Sequence, residues 1–504
     1  MNNLPLLSLC LFWPAAGAML LTLIRDQELA KRAALTISGL ELVLTLLVVQ
    51  VFDPALPDFQ LLERHVWIAG LNVHYRLGVD GISVLFLPMT ALLTMMAILA
   101  GWNSVSHSRR FHLLLLLLLE SITIGVFCAL DLVLFFLFWE LTLPPLFFLI
   151  GLWGMGAERR YAAMKYTLYM LFGGVPLLFG FILLALNHAA PLEAGGATGS
   201  LSFSLPELLN APPAPEAQGL IFLLLLLGFA VKSPLPPFHV WLPTVAMEAP
   251  AQITALLTGL KLGLYGIIRF AIPLAPAAAY EQRWLLATLG AVTLLYAGLI
   301  ALQQTNLRRL LAYASISHVG LVLLGIASLT LQGLQGAVMQ LLNFGIVASS
   351  LMLIAGMIQQ RLGSTEYAHL GGLARPMPQL TTLFFIFALS SIGVPGTNSF
   401  PAEWLIVIGT LKVYPALAAV ALFTAMIAAA YVLNFARRGL FGPVVHDSVA
   451  RLADLRPREL ALLGIPAVLV FWGGLYPQGV LKHQEATSTA WRANLHLPLG
   501  DLTE

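Results

Sequence analysis

Gly228-Phe-Ala-Val-Lys-Ser-Pro-Leu-Pro-Pro-Phe-His-Val-Trp-Leu-Pro243 interrupts a long apolar run, and its reading decides the fold. The residues before it, 220–229, are apolar enough to lie in a bilayer core. A lysine at that depth costs about 2.5–3.5 kcal/mol on insertion scales. Prolines there free backbone carbonyls that lipid cannot satisfy, so the helix must break where protein or trapped water meets it. Lys232, the prolines and His239 together mark an ion path through a protein that crosses the membrane many times.

The remainder of the 504 residues has the same character. The chain is 59% apolar and 10% charged, with a mean hydropathy of +0.87, whereas about 25% charged is usual for a soluble domain. The net charge of +2 gives no pull toward nucleic acid. Cys10 and Cys128 lie in apolar segments, and their number and spacing suit no metal site, iron–sulfur cluster or disulfide framework. The apolar start, 4–23, lacks a basic leader and a small-residue cleavage pattern, which predicts a retained first helix. The longest polar interruption, about 187–218, is rich in Pro, Gly and Ala and predicts a loop with at most a short helix over 205–209.

Segments long enough to cross fall near 4–23, 33–51, 79–101, 111–129, 131–154, 163–187, 219–239, 249–273, 284–303, 309–328, 333–358, 379–411, 413–436 and 459–475. The expected fold class is therefore an all-α polytopic membrane protein of about 14 transmembrane helices. With the N-terminus outside, most basic residues gather in the inner connections, including Arg25, Arg32, Arg109, Arg110, Arg159, Arg160, Arg308, Arg309, Arg437 and Arg438. The outer loops and tail hold Arg64, Arg76, Arg283, Lys412, Lys482 and Arg492. That bias predicts both termini on the outer side.

Glu120, Glu140, Lys165, Lys232, Lys261 and Glu403 all fall inside predicted spans. Keeping them together is costly unless they pair or do work. Glu140 lies in Phe138-Trp-Glu-Leu141, just before Pro144 and Pro145, and Lys232 lies just before Pro234. A buried Glu and Lys each lean toward neutrality in apolar walls, while proximity pulls both toward charge. Such a pair changes protonation state when a nearby proton arrives, as a relay requires. A plain salt bridge would satisfy the same residues but would not need a broken helix. Lys165, near a span end, is as well explained by an interfacial ion pair, and Glu120 by a hydrogen bond to a neighbouring helix.

A second interruption, Ser390-Ser-Ile-Gly-Val-Pro-Gly-Thr-Asn-Ser-Phe-Pro-Ala-Glu403, again sets prolines and glycines before a charged residue. Paired interruptions in two halves of a chain point to inverted-repeat transport architecture. The expected organisation is 1–110 for three N-terminal helices, 111–275 and 276–440 for two five-helix antiporter-like repeats with breaks in helices 7/8 and 12, and 441–504 for the last helix and tail. His239 and His318 are secondary candidates, since a neutral imidazole relays protons near physiological pH.

These motifs resemble the antiporter-like proton-channel subunits of respiratory complex I, particularly the subunit M or mitochondrial subunit 4 type. The resemblance rests on Leu77-Gly-Val-Asp-Gly-Ile-Ser83, the Trp-Glu-Leu run at Glu140, the lysine stretch quoted above, Glu248-Ala-Pro250, Tyr265-Gly-Ile-Ile-Arg-Phe270, 307–320 and Gly393 to Glu403. It covers nearly the whole chain in order. It implies that Glu140 is the glutamate of helix five, Lys232 the lysine of helix seven, Lys261 the lysine of broken helix eight and Glu403 the last glutamate, on helix twelve. Together these would form a polar axis at mid-membrane that transfers protons. The short stretch after the fourteenth expected helix predicts no lateral helix of the longer subunit L type.

There are departures. Thr244 and Ala246 stand where the family usually has an acid and a histidine, and Phe344 replaces a frequent histidine. Lys261 also falls about two residues early after Pro250. Divergent relatives serve cation/proton antiporters, membrane hydrogenases or inorganic-carbon uptake complexes, and a non-conducting structural subunit is a further alternative. The resemblance implies a bacterial inner-membrane subunit of an NADH:quinone oxidoreductase, partnered by other membrane-arm subunits in the lipid bilayer. No cofactor is expected in this chain, which shows no dinucleotide fingerprint and no flavin, cluster or metal ligands.

Overall fold

The computed structural model describes residues 4–189 and 201–495. The expected loop over 187–218 falls outside the described residues at 190–200, and the expected tail does so from 496 onward. Twelve helices are long and apolar enough to cross a membrane, among them Leu6–Leu23, Arg109–Cys128, Pro215–Lys232 and Leu331–Leu362. Two shorter apolar helices, Phe86–Gly101 and Pro378–Ser391, fall at the third and twelfth of the expected spans. The short helix foreseen in the loop is there, at Leu205–Asn210.

Helix ends are fixed by side chains, because the first N–H groups of a helix have no partner within it. Asp26 accepts from the amides of Glu28 and Leu29, Asp131 from Val133 and Leu134, and Asn306 from Arg308 and Arg309. Gly363, at φ +77°, closes the 32-residue helix Leu331–Leu362 in the left-handed conformation that glycine adopts without strain. That helix is central: 89% of its most apolar window is buried, against 33% for Gln27–Val51, which lies outside.

Both expected interruptions are real breaks. One helix ends at Lys232, and the chain resumes through a 3-10 turn at Phe238–Val240 and the helix Trp241–Glu248. The other ends at Ser391 and restarts at Ser399, with Gly393 and Gly396 at φ +69° and +92° between them. A third break separates Ala251–Gly259 from Leu262–Gly266. Lys261 is held at φ −93°, ψ 61°, outside helical geometry, and a five-residue π turn at Ile267–Ala271 follows. A smaller interruption falls at Thr142, between Leu132–Leu141 and Leu143–Trp153. Pro144 and Pro145 cannot donate to the carbonyls a turn earlier, which loosens the helix beside Glu140.

A hairpin departs from an all-helix reading, and the tail adds a further helix. Gln60–Ile68 and Val73–Val79 pair as an antiparallel hairpin turned through Asn72, at φ 54°. The tail folds as the helix Gln478–Ala493 and docks on the bundle. There Thr487 accepts from the Gly81 amide at 3.1 Å, and the Trp491 indole donates to the Ile268 carbonyl at 2.9 Å, within the π turn.

Candidate functional site

The first break brings Lys232 to the kink at Thr142. Its ammonium donates to the Trp139 carbonyl at 3.1 Å and to the Thr142 hydroxyl at 3.0 Å, and lies 3.9 Å from the centroid of the Trp139 ring. Glu140 follows Trp139 directly, and its carboxylate turns into room left by the missing side chain of Gly174. No direct ion pair joins Glu140 to Lys232 among the described residues. The ammonium bonds instead to the Trp139 carbonyl and the Thr142 hydroxyl, which flank Glu140 in the kink. The expected pairing is therefore close but indirect.

The first and third breaks meet. A Cβ on Gly263 would collide with the Ser233 hydroxyl, so the residue after Lys232 touches the turn that carries Lys261. Lys261 is buried, and its ammonium has no hydrogen-bond partner. It faces Phe344, 5.4 Å from the ring centroid. Phe344 also meets His318 edge-on, with centroids 6.1 Å apart.

His318 bridges toward the second break. One ring nitrogen lies 2.8 Å from the Ala314 carbonyl, and the other lies 2.9 Å from the Ser391 carbonyl and 3.8 Å from the Glu403 carboxylate. Gln340 donates to that carboxylate at 3.4 Å. Gly393 must lack a Cβ because Glu403 occupies the space. A cavity of about 200 Å³ lies against His318, Ser317, Ser391, Glu403 and Thr424, with the exposed Trp404 at its rim. That volume holds several waters.

The secondary candidates divide. Lys165 donates to Thr244 at 2.9 Å, on the helix that follows the first break. His239 is buried in that same segment, with Nδ1 unpartnered and its ring edge-on to Tyr296. Glu120 accepts instead from Ser38 at 3.0 Å, on the peripheral helix Gln27–Val51. It belongs with the N-terminal helices.

Three features escaped sequence reasoning. The Arg269 guanidinium forms a buried pair with Asp80, NH1 donating at 2.7 Å, and ties the π turn to the segment after the hairpin. Both residues stand in motifs that carry the resemblance, but nothing in their spacing announces a pair. Gln340, Asn343 and Asn398 form an amide network: Asn343 donates to Gln340 and to the Asn398 carbonyl, and Asn398 donates back at 2.7 Å. The polar face at 340 and 343 of an apolar helix was the available signal. Glu41, buried with both oxygens unpartnered, was passed over within a strongly apolar span. Among the described residues, no group of three or more His, Cys, Asp or Glu is placed to hold a metal ion.

Comparison with known proteins adds sequence and fold relatives. Residues 129–428 match the family described as NADH:quinone oxidoreductase/Mrp antiporter, transmembrane. NADH-quinone oxidoreductase subunit M of Rhodobacter capsulatus is 36% identical over 99% of this chain and 98% of its own length. A chain of respiratory complex I from Thermus thermophilus superposes with a TM-score of 0.87 at 31% identity, covering 97% of this chain and all of that one. A chain of the membrane-bound sulfane sulfur reductase, an archaeal respiratory membrane complex, superposes with a TM-score of 0.82 at 26% identity, over 94% of this chain and 77% of its own length.

Proposed function

We propose a function from the premise that this chain belongs to the NADH:quinone oxidoreductase/Mrp antiporter transmembrane family, in the branch of subunit M. It is a multi-pass, antiporter-like membrane subunit that translocates protons within an NADH:quinone oxidoreductase. Partner subunits carry out the redox chemistry, and this chain holds no cofactor. It lies in a bacterial inner membrane among other membrane-arm subunits, crossing fourteen times with both termini outside. Its two halves, 111–275 and 276–440, are inverted counterparts, with broken helices 7/8 in the first and helix 12 in the second.

The observation that carries this reading is the continuity of the broken segments. Lys232 rests on the kink at Glu140, its neighbour Ser233 touches the turn after Lys261, and Lys261 reaches His318 and Glu403 across one aromatic ring. Lone charges at bilayer depth are costly, so a connected row of them at helix breaks is the signature of a conducting path. Glu140 and its neighbours Leu137 and Leu141 are partly or fully exposed on this chain, so a charge in an adjoining subunit can act on Glu140 directly. A proton arriving on Glu140 weakens its hold on the Lys232 ammonium. Lys232 then gives its proton toward Lys261, and charge on Lys261 drives release from Glu403 into the adjoining cavity.

Purification through a tag on this chain tests the assignment. NADH-oxidising and cluster-bearing subunits should co-purify with it. Recovery with only antiporter or carbon-uptake subunits would overturn the respiratory reading.

A further inference from the structure

His112 is a buried titratable group that the path above leaves unused. It lies in the first turn of Arg109–Cys128, is 1% exposed, and neither ring nitrogen has a hydrogen-bond partner. Leaving a buried polar group unpaired costs about 1–3 kcal/mol, so it calls for an explanation. Its surroundings supply one. Nε2 of His112 and the side-chain nitrogen of Gln252 both lie within 4 Å of the point a Cβ on Gly101 would occupy, at 3.7 and 3.5 Å. Gln252 in turn lines a cavity of about 190 Å³ with Ser104, Ser106, His107 and Gln360. Ser104, Ser106 and His107 are exposed, so the cavity opens at this end of the bundle.

From Gln252 the polar trail continues along one helix seam. The Ser349 hydroxyl donates to the Ala255 carbonyl at 2.8 Å and fills the space left by Gly259, two residues before Lys261. We propose that His112 is the first proton-loading group of the route to Lys261, supplied through the Gln252-lined cavity, an inference that rests on the proton-translocating reading above. His112 takes up a proton that enters from the cavity past Gln252 and gives it up along the seam that Ser349 marks toward the lysine. Among the described residues, the other titratable groups near His112 are engaged elsewhere. Lys31 is paired with Glu28 at 2.6 Å and lies over Trp102, Arg458 lies over the same ring, Arg109 donates to the Val105 carbonyl, and His107 stacks on Trp153.

The test uses the whole complex in sealed vesicles, with the rate of proton pumping followed across pH for His112→Gln, Gly101→Ala and Lys261→Met. His112→Gln keeps polarity without a titratable proton, and pumping should fall roughly tenfold at alkaline pH, where proton capture limits, and recover as pH drops. Gly101→Ala leaves the imidazole intact but sets a methyl between it and Gln252 at ordinary contact distance, and it should give the same pH-dependent loss. A loss equal at every pH would mean packing alone and would overturn the inference. Normal pumping in both variants while Lys261→Met fails would overturn it and leave the function standing. Normal pumping in all three would instead reject the proton-translocating function itself.

Discussion

The Lys261 ammonium faces the ring of Phe344 at 5.4 Å, with no hydrogen-bond partner of its own. A cation over an aromatic face gains about 0.5–2 kcal/mol, the upper end when desolvated. The contact steadies the lysine but carries no proton. The same ring stands against His318, so an apolar group separates two titratable ones. Water reaching the neighbouring Gln340 and Asn343 has to bridge the step.

Phe344→His should therefore raise the pumping rate. It places an imidazole between Lys261 and His318, and the initial rate of proton uptake in vesicles reads the change. An unaltered rate would mean that waters already span the gap.

Thr142→Val removes one of the two acceptors that hold Lys232 and leaves the Trp139 carbonyl as the other. Losing such a bond costs about 1.5–3 kcal/mol, since the donor is charged. Pumping should fall partially while the complex assembles on native gels. Full activity would show that the Trp139 carbonyl alone positions the ammonium.

The Asp80–Arg269 pair predicts a stability effect. Removing one partner of a buried ion pair typically costs about 3–5 kcal/mol, because the other charge is left uncompensated. Asp80→Asn should lower thermal stability sharply, and adding Arg269→Gln should restore part of the loss. A double variant whose loss equals the sum of the two single losses would indicate that the two residues contribute independently.

Glu207, outside the spans, sets a pH dependence. Partial burial works to raise its carboxyl, but bonds from Ser202, Ser204 and Arg76 win and hold it below the usual range. A carboxylate depressed in the folded state stabilises at neutral pH, and that contribution disappears as pH falls through the folded value. The Glu207 side chain is 42% exposed, so solvent screening keeps the effect small. Glu207→Gln should melt slightly lower than the parent at neutral pH and together with it in acid. A gap that persists in acid would point to shape rather than charge.

Much of this was legible in the sequence because bilayer physics is severe. A lysine before Pro234 and a glutamate after Pro401 leave few arrangements other than broken helices facing a protein interior. The hairpin was not legible, since Gln60–Ile68 is largely exposed and lacks the alternation of a half-buried strand. Nor was the indirect link between Glu140 and Lys232, because sequence gives proximity without saying which oxygen receives the ammonium. For Glu120 a hydrogen bond to a neighbouring helix was legible, but which helix supplies it was not, and the packing of Gln27–Val51 makes Ser38 the partner.

The measurement that bears most directly on the central claim is proton pumping per electron in vesicles for Lys232→Met and Glu140→Gln, with assembly verified on native gels. Lys232→Met keeps most of the apolar volume and loses the amine, while Glu140→Gln keeps the shape and loses the charge. Both should assemble and pump far less than the parent, with smaller losses from changes at Thr142. Normal pumping in both variants would contradict the account and leave Lys232 and Glu140 as structural supports of the break.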